Sequence, residues 1–297
     1  MKSHLYWLKQ SLPRRLHAAA LIFLAATLGA SAQVTNTPTQ EELKQLSLEE
    51  LMNLEVTMVA RRPEKLYESP SAAQVITGEE IRRSGATTLP EALRLAPNLQ
   101  VARQNAHDWG ITARGFNAAP FENNTLANKL LVMIDGRTVY TPLFGGVFWD
   151  VQNVLLEDID RIEIISGPGG TLWGANAVNG IINVVSKSSR ETQGFYLSGA
   201  GGSFLQDFAA LRYGGTASTN LYYRAYVQHF DFNDTKLPTG VRMNDEWGMT
   251  QGGLRFDWYP NDDNTVTFQG DIYSGAEGSP RFSNVDGQNV LGRWTRT

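Results

Sequence analysis

From about Phe195 onward, apolar and polar residues alternate one by one over long runs, and this pattern constrains the fold more than any other feature of the chain. Leu254, Phe256 and Trp258 alternate with Arg255 and Asp257; Val266, Phe268, Gly270 and Ile272 alternate with Thr267, Gln269 and Asp271; Tyr223, Ala225 and Val227 alternate with Arg224 and Gln228. A two-residue period belongs to strands with two unlike faces. In a soluble sandwich the apolar face is the core. In a membrane barrel it faces lipid, and the polar face lines the lumen. The alternation itself leaves both open.

The connections favour the barrel. Residues 216–220 and 260–264 are short and turn-like, whereas 232–246 and 274–289 read as long and polar. Short connections at one end and long ones at the other are the outer-membrane arrangement. Phe230, Trp247, Trp258, Tyr259 and Tyr273 fall near strand ends, where interfacial aromatic girdles sit.

Ahead of these strands stand zones of different texture. Lys2, Lys9, Arg14 and Arg15 precede an uncharged stretch, Ala18 to Leu28, and the small-residue site Ala30-Ser31-Ala32. This is the layout of a cleaved secretory signal over 1–32; the apolar run is too short to span about 30 Å of hydrocarbon as an anchor. Cleavage removes four basic residues and no acid, so 26 basic residues become 22 against 30 acidic. With no basic cluster, a nucleic-acid partner is not expected. The absence of cysteine excludes disulfides, thiolate metal sites and a cysteine nucleophile.

Residues 33–62 form an N-terminal segment: a polar stretch, then Leu43, Leu46, Leu51 and Leu54 at helical spacing, then Glu55-Val56-Thr57-Met58-Val59 before Arg61-Arg62-Pro63. Residues 63–189 read as a compact α+β unit. Strands are expected at 73–76, 130–134, 138–140, 159–165 and 180–186. One helix is expected from Gly78 to Ser84, capped by Thr77 and ended by Gly85. Another follows Thr88, with Pro90 in its first turn and Ala92, Leu93 and Leu95 on its apolar face. Asp135-Gly136 signals a hairpin turn.

No catalytic set is visible. His107 and His229 lie in different zones without a sequence neighbour at metal-ligand spacing, so no metal site is expected; Asp158 and Asp160 read as a solvated turn.

The densest signal is the run Ser166-Gly167-Pro168-Gly169-Gly170-Thr171-Leu172-Trp173-Gly174-Ala175-Asn176-Ala177-Val178-Asn179-Gly180-Ile181-Ile182-Asn183-Val184. A phosphate-binding loop is a poor reading, because no Gly-Lys-Ser/Thr end follows and a strand, not an amphipathic helix, comes next. Together with Arg114-Gly115-Phe116, Ile134-Asp135-Gly136-Arg137 and Ile159-Asp160-Arg161-Ile162-Glu163, in this order, the run resembles the plug domain of TonB-dependent receptors.

The resemblance implies an α+β plug domain followed by antiparallel transmembrane β-barrel strands, in the outer membrane of a Gram-negative bacterium. A plug of this size has a radius of gyration of roughly 14 Å. An eight-stranded barrel is filled by its own side chains, and a plugged lumen takes about 22 strands. Residues 190–297 hold five or six, so the chain is expected to be part of a longer protein.

The resemblance further implies import without catalysis and without a cofactor. A ferric siderophore or similar metal chelate is the leading ligand, with cobalamin or an oligosaccharide as alternatives. Glu55-Val56-Thr57-Met58-Val59 would be the TonB box, gripped by TonB and its inner-membrane energising complex through strand addition. Phe116, Tyr140, Phe144, Phe148 and Trp149 are candidate ligand-facing aromatics, with packing against the barrel wall as the alternative. Ser166 stands where the family often has an arginine, so a plug–barrel ion cluster would rest on Arg114, with Arg161. A signalling receptor and a soluble sandwich adhesin are the competing classes; the first usually carries a further N-terminal domain, and the second leaves the glycine-rich run unexplained.

Overall fold

The computed structural model describes residues 55–56, 64–65, 72–114, 129–141, 145–279 and 283–296, all in one compact unit spanning 49–297. The expected signal, the leucine-spaced helix, Thr57, Met58, Val59, Gly115, Phe116 and Phe144 lie outside the described residues.

Strands β1 (Glu55–Val56) and β2 (Glu64–Lys65) form a two-stranded antiparallel pair, with Glu55 opposite Lys65. A five-stranded sheet follows, built from β3 (Ala72–Thr77), β6 (Leu130–Ile134), β7 (Arg137–Thr138), β8 (Ile159–Ser166) and β9 (Gly180–Ser186), in the order β3-β8-β9-β6-β7. Only β6 and β9 run parallel. Between β3 and β6 a separate hairpin joins β4 (Leu99–Arg103) to β5 (Trp109–Ala113).

Both faces of the five-stranded sheet are covered, which is why β6 reads as an unbroken apolar run, Leu-Leu-Val-Met-Ile. Leu130, Val132 and Ile134 point into the larger core with Ile76, Ile162, Ile164, Ile182 and Val184. Leu131 and Met133 point the other way, onto Ile165, Ala177 and Ile181. Each such side chain contributes roughly 1.5–3 kcal/mol on burial.

The local signals act as their chemistry requires. Thr77 caps α1 (Gly78–Ser84): its hydroxyl accepts from Glu80 N, the Glu80 carboxylate accepts from Thr77 N at 2.7 Å, and Gly85 closes the helix at φ 72°. Asp135 and Gly136 both take positive φ, 50° and 79°, and turn β6 into β7 within two residues. Gly180 opens β9 against Ile165; a Cβ there would lie 2.7 Å from the Ile165 carbonyl oxygen.

Some expectations are corrected. The second helix is a single turn, α2 (Leu89–Ala92), continued by a 3-10 turn (Leu93–Leu95). It buries Leu89, Ala92 and Leu93, while Leu95 stays exposed because the tighter winding rotates it off the core face. β7 stops at Thr138. Glu163 is buried at 1% exposure rather than alternating outward, held by Arg161 on the same strand. The glycine-rich run contains one helical turn, α3 (Gly170–Trp173), before β9.

The second large sheet is a six-stranded antiparallel meander: β10 (Gly194–Ala200), β11 (Leu205–Ser218), β12 (Leu221–Phe232), β13 (Trp247–Asn261), β14 (Asn264–Glu277) and β15 (Ser283–Arg296). The expected long connection over 274–289 is instead the end of β14, a short loop and the start of β15. The strands of this sheet are 12 to 15 residues long from β11 onward.

Candidate functional site

The six-stranded sheet is inside-out. Register aligns Phe195, Tyr213, Ala225, Leu254, Gly270 and Val290 in one row on its outer face. The next rows carry Leu197, Leu211, Val227 and Ile272 on one side, and Tyr223, Phe256 and Phe268 on the other, followed by Trp258, Val266 and Trp294. These rows hold the most exposed apolar side chains of the sheet, among them Leu197 at 77%, Trp294 at 70% and Ile272 at 64%, beside half-buried neighbours such as Leu211 and Val227. At about 3.3 Å per residue, Val266 to Ile272 alone makes a band roughly 20 Å long along the strand. No helix among the described residues is long and apolar enough to cross a membrane, which says nothing about strands.

The polar face is the buried one. Arg212, Arg224, Gln228, Gln251, Arg255, Asp257 and Thr267 are all below 9% exposed, covered by the five-stranded unit. In a soluble sandwich this sidedness would be reversed. The apolar exposed band and the buried polar face together separate the two readings that alternation left open.

The polar face seats an ion network. Arg224 and Arg255 are directly opposite each other on β12 and β13. Two cationic side chains so placed repel, and they hold only because carboxylates from the covering unit come between them. Asp158 pairs with Arg212 through a short contact and with Arg224 at 3.6 Å. Asp135 lies 3.8 Å from Arg255 and accepts from Gln269 Nε2 at 2.8 Å. Asp257, on the sheet itself, takes both edges of Arg255 and accepts from Ser189 N at 2.7 Å. Ser186 donates its hydroxyl to Asp135 and accepts from Arg224 and Arg255. Three guanidiniums thus face three carboxylates, and breaking one buried pair costs about 3–5 kcal/mol.

This polarity corrects the expected part of Arg161 in the cluster. The covering unit supplies acids and the sheet supplies arginines. Asp158 is not a solvated turn residue but 2% exposed. Arg161 spends its guanidinium inside its own unit, on Asp160 at 2.6 Å and Glu163 at 2.8 Å; burial alone would lower its pKa, but these neighbours raise it. Arg114 ends β5 in a left-handed conformation, φ 62°. A signal for the network is present in sequence: Arg212, Arg224 and Arg255 all fall on the polar phase of their strands. Asp257 lies two residues from Arg255 on the same polar phase, but the plug acids Asp158 and Asp135 lie 54 or more residues from the arginines they meet, beyond any local pattern.

A cavity of about 130 Å³ lies beside this network, between Asn153 and Leu155 on one wall and Tyr226, Asp271 and Asn289 on the other. Its lining is polar enough, and its volume large enough, for several waters.

At the end of the sheet with the long connection, residues 233–246, the loop between β4 and β5 is clasped. Asp245 accepts from Ala106 N at 2.9 Å and from the Thr235 hydroxyl and N–H. Burial pushes the Asp245 carboxyl up, but these donors outweigh it and hold it below the usual range. Arg103 lies over the Phe204 ring at 4.3 Å. His107, which has no ligand near it in sequence, meets Asp150 and Glu277 here. Burial opposes its charge; Asp108 and Glu277 win, and its pKa is raised. His229 faces Asp207 and Asp231 on the outer face.

The sequence-predicted residues are distributed as follows. Gly167 and Pro168 precede the turn holding Leu172, Gly174 follows it, and Gly180 and Asn183 sit in β9, with Asn183 in register with Met133 and Glu163. Asp135 and Gly136 reach the ion network, and Arg293 donates to the Asp135 carbonyl at 3.2 Å. Among the candidate aromatics, Trp149 is buried in the main core, while Tyr140 and Phe148 are half-buried.

Residues 65–181 match the model of the TonB-dependent receptor plug domain. The chain carries a TonB-dependent receptor plug domain. It is 31% identical over 154 residues to the vitamin B12 transporter BtuB of Vibrio vulnificus (strain CMCP6), a match covering 51% of this chain and 23% of that one. It is 24% identical over 298 residues to the ferric enterobactin receptor PirA of Pseudomonas aeruginosa, covering 88% and 39%. The ferric yersiniabactin uptake receptor FyuA from Yersinia pestis shares the fold with a TM-score of 0.58 at 19% identity, over 76% of this chain and 38% of that structure. The chain therefore spans less than half the length of these curated relatives. The five-stranded unit is the plug, and the six-stranded sheet is its barrel wall.

Proposed function

We propose that this chain supplies the plug and the first barrel strands of an outer-membrane receptor that imports a scarce, bulky ligand, a ferric siderophore or similar metal chelate, with energy delivered through TonB. The supporting observation is the inside-out sheet: an apolar face left exposed, and a polar face sealed by a plug through charge pairs. A plug fixed by hydrophobic packing would be hard to shift. One fixed by buried ion pairs beside a polar cavity can exchange partners with water as it moves.

Residues 1–32 are read as the signal, 33–62 as the periplasmic segment, 63–189 as the plug and 190–297 as barrel. Within the periplasmic segment, Glu55-Val56-Thr57-Met58-Val59 is the proposed TonB box. Glu55–Val56 already pairs as a strand with Glu64–Lys65, so the backbone there takes the extended form that strand addition needs. Engagement by TonB then exchanges an intramolecular partner for an intermolecular one. Tyr140 and Phe148, with part of their rings still exposed, and the undescribed Phe116 and Phe144 are the proposed ligand contacts; Trp149 supports them from the core.

Cobalamin is the second reading, because a vitamin B12 transporter is among the relatives above 30% identity. The named relatives are transporters and receptors, and the reading requires no chemistry on the ligand. The test is uptake of radiolabelled ferric chelates and of cobalamin by cells expressing the protein at native length, with and without TonB. TonB-dependent accumulation of one ligand, abolished by Val56→Pro, is expected. Accumulation that ignores both TonB and Val56→Pro would overturn the reading, as would recovery of the protein from the periplasm without detergent.

A further inference from the structure

The seam between plug and barrel holds a second polar cluster, apart from the arginine–carboxylate network. His107 lies in the plug loop between β4 and β5, Asp150 in a 3-10 turn of the plug (Trp149–Val151), and Glu277 at the end of barrel strand β14. One ring nitrogen and two carboxylate oxygens from these residues lie within 4.8 Å of one another. All three side chains are buried, with residue exposures of 0%, 3% and 4%.

The histidine is oriented for ligation. Its Nε2 is 3.1 Å from the Ser279 carbonyl oxygen. A carbonyl only accepts, so Nε2 carries the proton, and the lone pair of the neutral ring is on Nδ1. Nδ1 makes no hydrogen bond and is buried. It faces Asp108 Oδ1 at 3.6 Å and Glu277 Oε2 at 3.9 Å. A backbone carbonyl fixing one nitrogen so that the other points at carboxylates is the outer-sphere arrangement of metal-binding histidines. A lone pair aimed at carboxylate oxygens in a buried site repels them unless a cation stands between.

We infer that His107, Asp150 and Glu277 form a binding site for a divalent cation of the zinc type, joining the plug loop to the barrel wall. One imidazole among carboxylates suits zinc and its transition-metal neighbours better than calcium or magnesium, which take all-oxygen shells. Zinc holds such donors at about 2.0–2.2 Å, which sets tetrahedral neighbours roughly 3.4 Å apart. The Glu277 carboxylate therefore has to close by about half an ångström, within the reach of a side-chain rotation. Without metal, a proton on Nδ1 meets the same electrostatic demand, consistent with the raised pKa of this ring, so proton and metal compete. The ion is a cross-link between two bodies that import has to separate. It is independent of which ligand is imported, and its failure leaves the receptor reading untouched.

The test uses tag-free protein of native length in detergent, dialysed against micromolar Zn²⁺ at neutral pH and analysed for bound metal. The trio Asp207, His229 and Asp231 on the outer barrel face, of which Asp207 is exposed and the other two half-buried, is the internal competitor. The expected result is one equivalent of zinc, retained in His229→Ala, reduced at least tenfold in affinity in His107→Gln and Glu277→Gln, and not displaced by millimolar Ca²⁺. No bound zinc, loss in His229→Ala, retention in both seam variants, or displacement by Ca²⁺ overturns the site. If the seam variants do not fold, hydrogen exchange on the unaltered protein decides. Zinc must slow exchange in residues 104–109; equal exchange with and without zinc overturns the proposal.

Discussion

The plug sheet and the barrel sheet draw on the same apolar residue types, in an unbroken run on β6 and in alternation on β13 and β14, and they solve opposite problems. In the plug, Leu130, Val132, Ile162 and Ile182 turn inward and water lies outside. In the barrel, Leu254, Phe268 and Ile272 turn outward, and arginines and glutamines turn inward onto the plug. What differs is the solvent each face meets. Hydrophobicity sorts side chains between two environments and does not by itself say which one is the interior.

The sharpest way to break this comparison is at the charges where the two sheets meet. Asp158→Asn keeps the shape of the side chain but leaves Arg212 and Arg224 buried beside a neutral amide. Plug retention is expected to weaken by about 3–5 kcal/mol, read as faster protease cleavage of the plug while the barrel still migrates as a folded species. Unchanged cleavage would mean that apolar packing holds the plug.

Next come matched truncations on the two sheets. Ile182→Ala empties a site in the plug core and is expected to cost about 2–5 kcal/mol in denaturant unfolding. Ile272→Ala removes a side chain that is 64% exposed, and is expected to change the same measurement by less than about 1 kcal/mol. Equal losses would show that something packs on the outer face as tightly as the plug packs on itself.

Phe268→Arg then asks which solvent that face meets. On a lipid-facing band an arginine near the midplane costs about 2–4 kcal/mol, and reconstitution into bilayers should fall accordingly. On a water-exposed sheet the same change would be neutral or favourable to solubility.

The two regions also differed in how far they could be read from sequence. The helix α1 was legible residue by residue, because Thr77, Glu80 and Gly85 act within a few positions of each other. So was the Asp135-Gly136 turn, and so was the alternation on β12, β13 and β14. The hairpin β4–β5 was not, because the polar loop from Gln104 interrupts it before either strand shows a clear period. The first half of β15, residues 283–289, was read as part of a long connection for a different reason. Its outer face there carries Asn284, Asp286 and Gln288 instead of apolar residues, and Gly287 and Gly292 leave gaps on both faces; a Cβ at Gly287 would strike the Tyr273 ring, 2.3 Å away. At the candidate site, the arginines lay on a readable phase of their strands, but the acids that neutralise them did not. Asp158 looks like any turn aspartate until the chain returns more than fifty residues later with Arg212. His107 and Glu277 are farther apart still, and no spacing rule reaches across that distance.

The smallest expected loss within the plug isolates what is common to any fold. Thr77→Ala removes the hydroxyl that accepts from Glu80 N and donates to the Glu80 carboxylate, while the backbone bond from residue 77 N to that carboxylate remains. The cost should be about 1 kcal/mol, seen as a small drop in the plug unfolding midpoint. Thr77 also ends β3, directly opposite Arg161 on β8, so the cap fixes where the strand stops and the helix begins. Its loss acts on the plug alone and has no route to the barrel's sidedness. If plug retention in the barrel falls as far with Thr77→Ala as with Asp158→Asn, then the ion network is not what ties the two sheets, and the plug is held by its own rigidity instead.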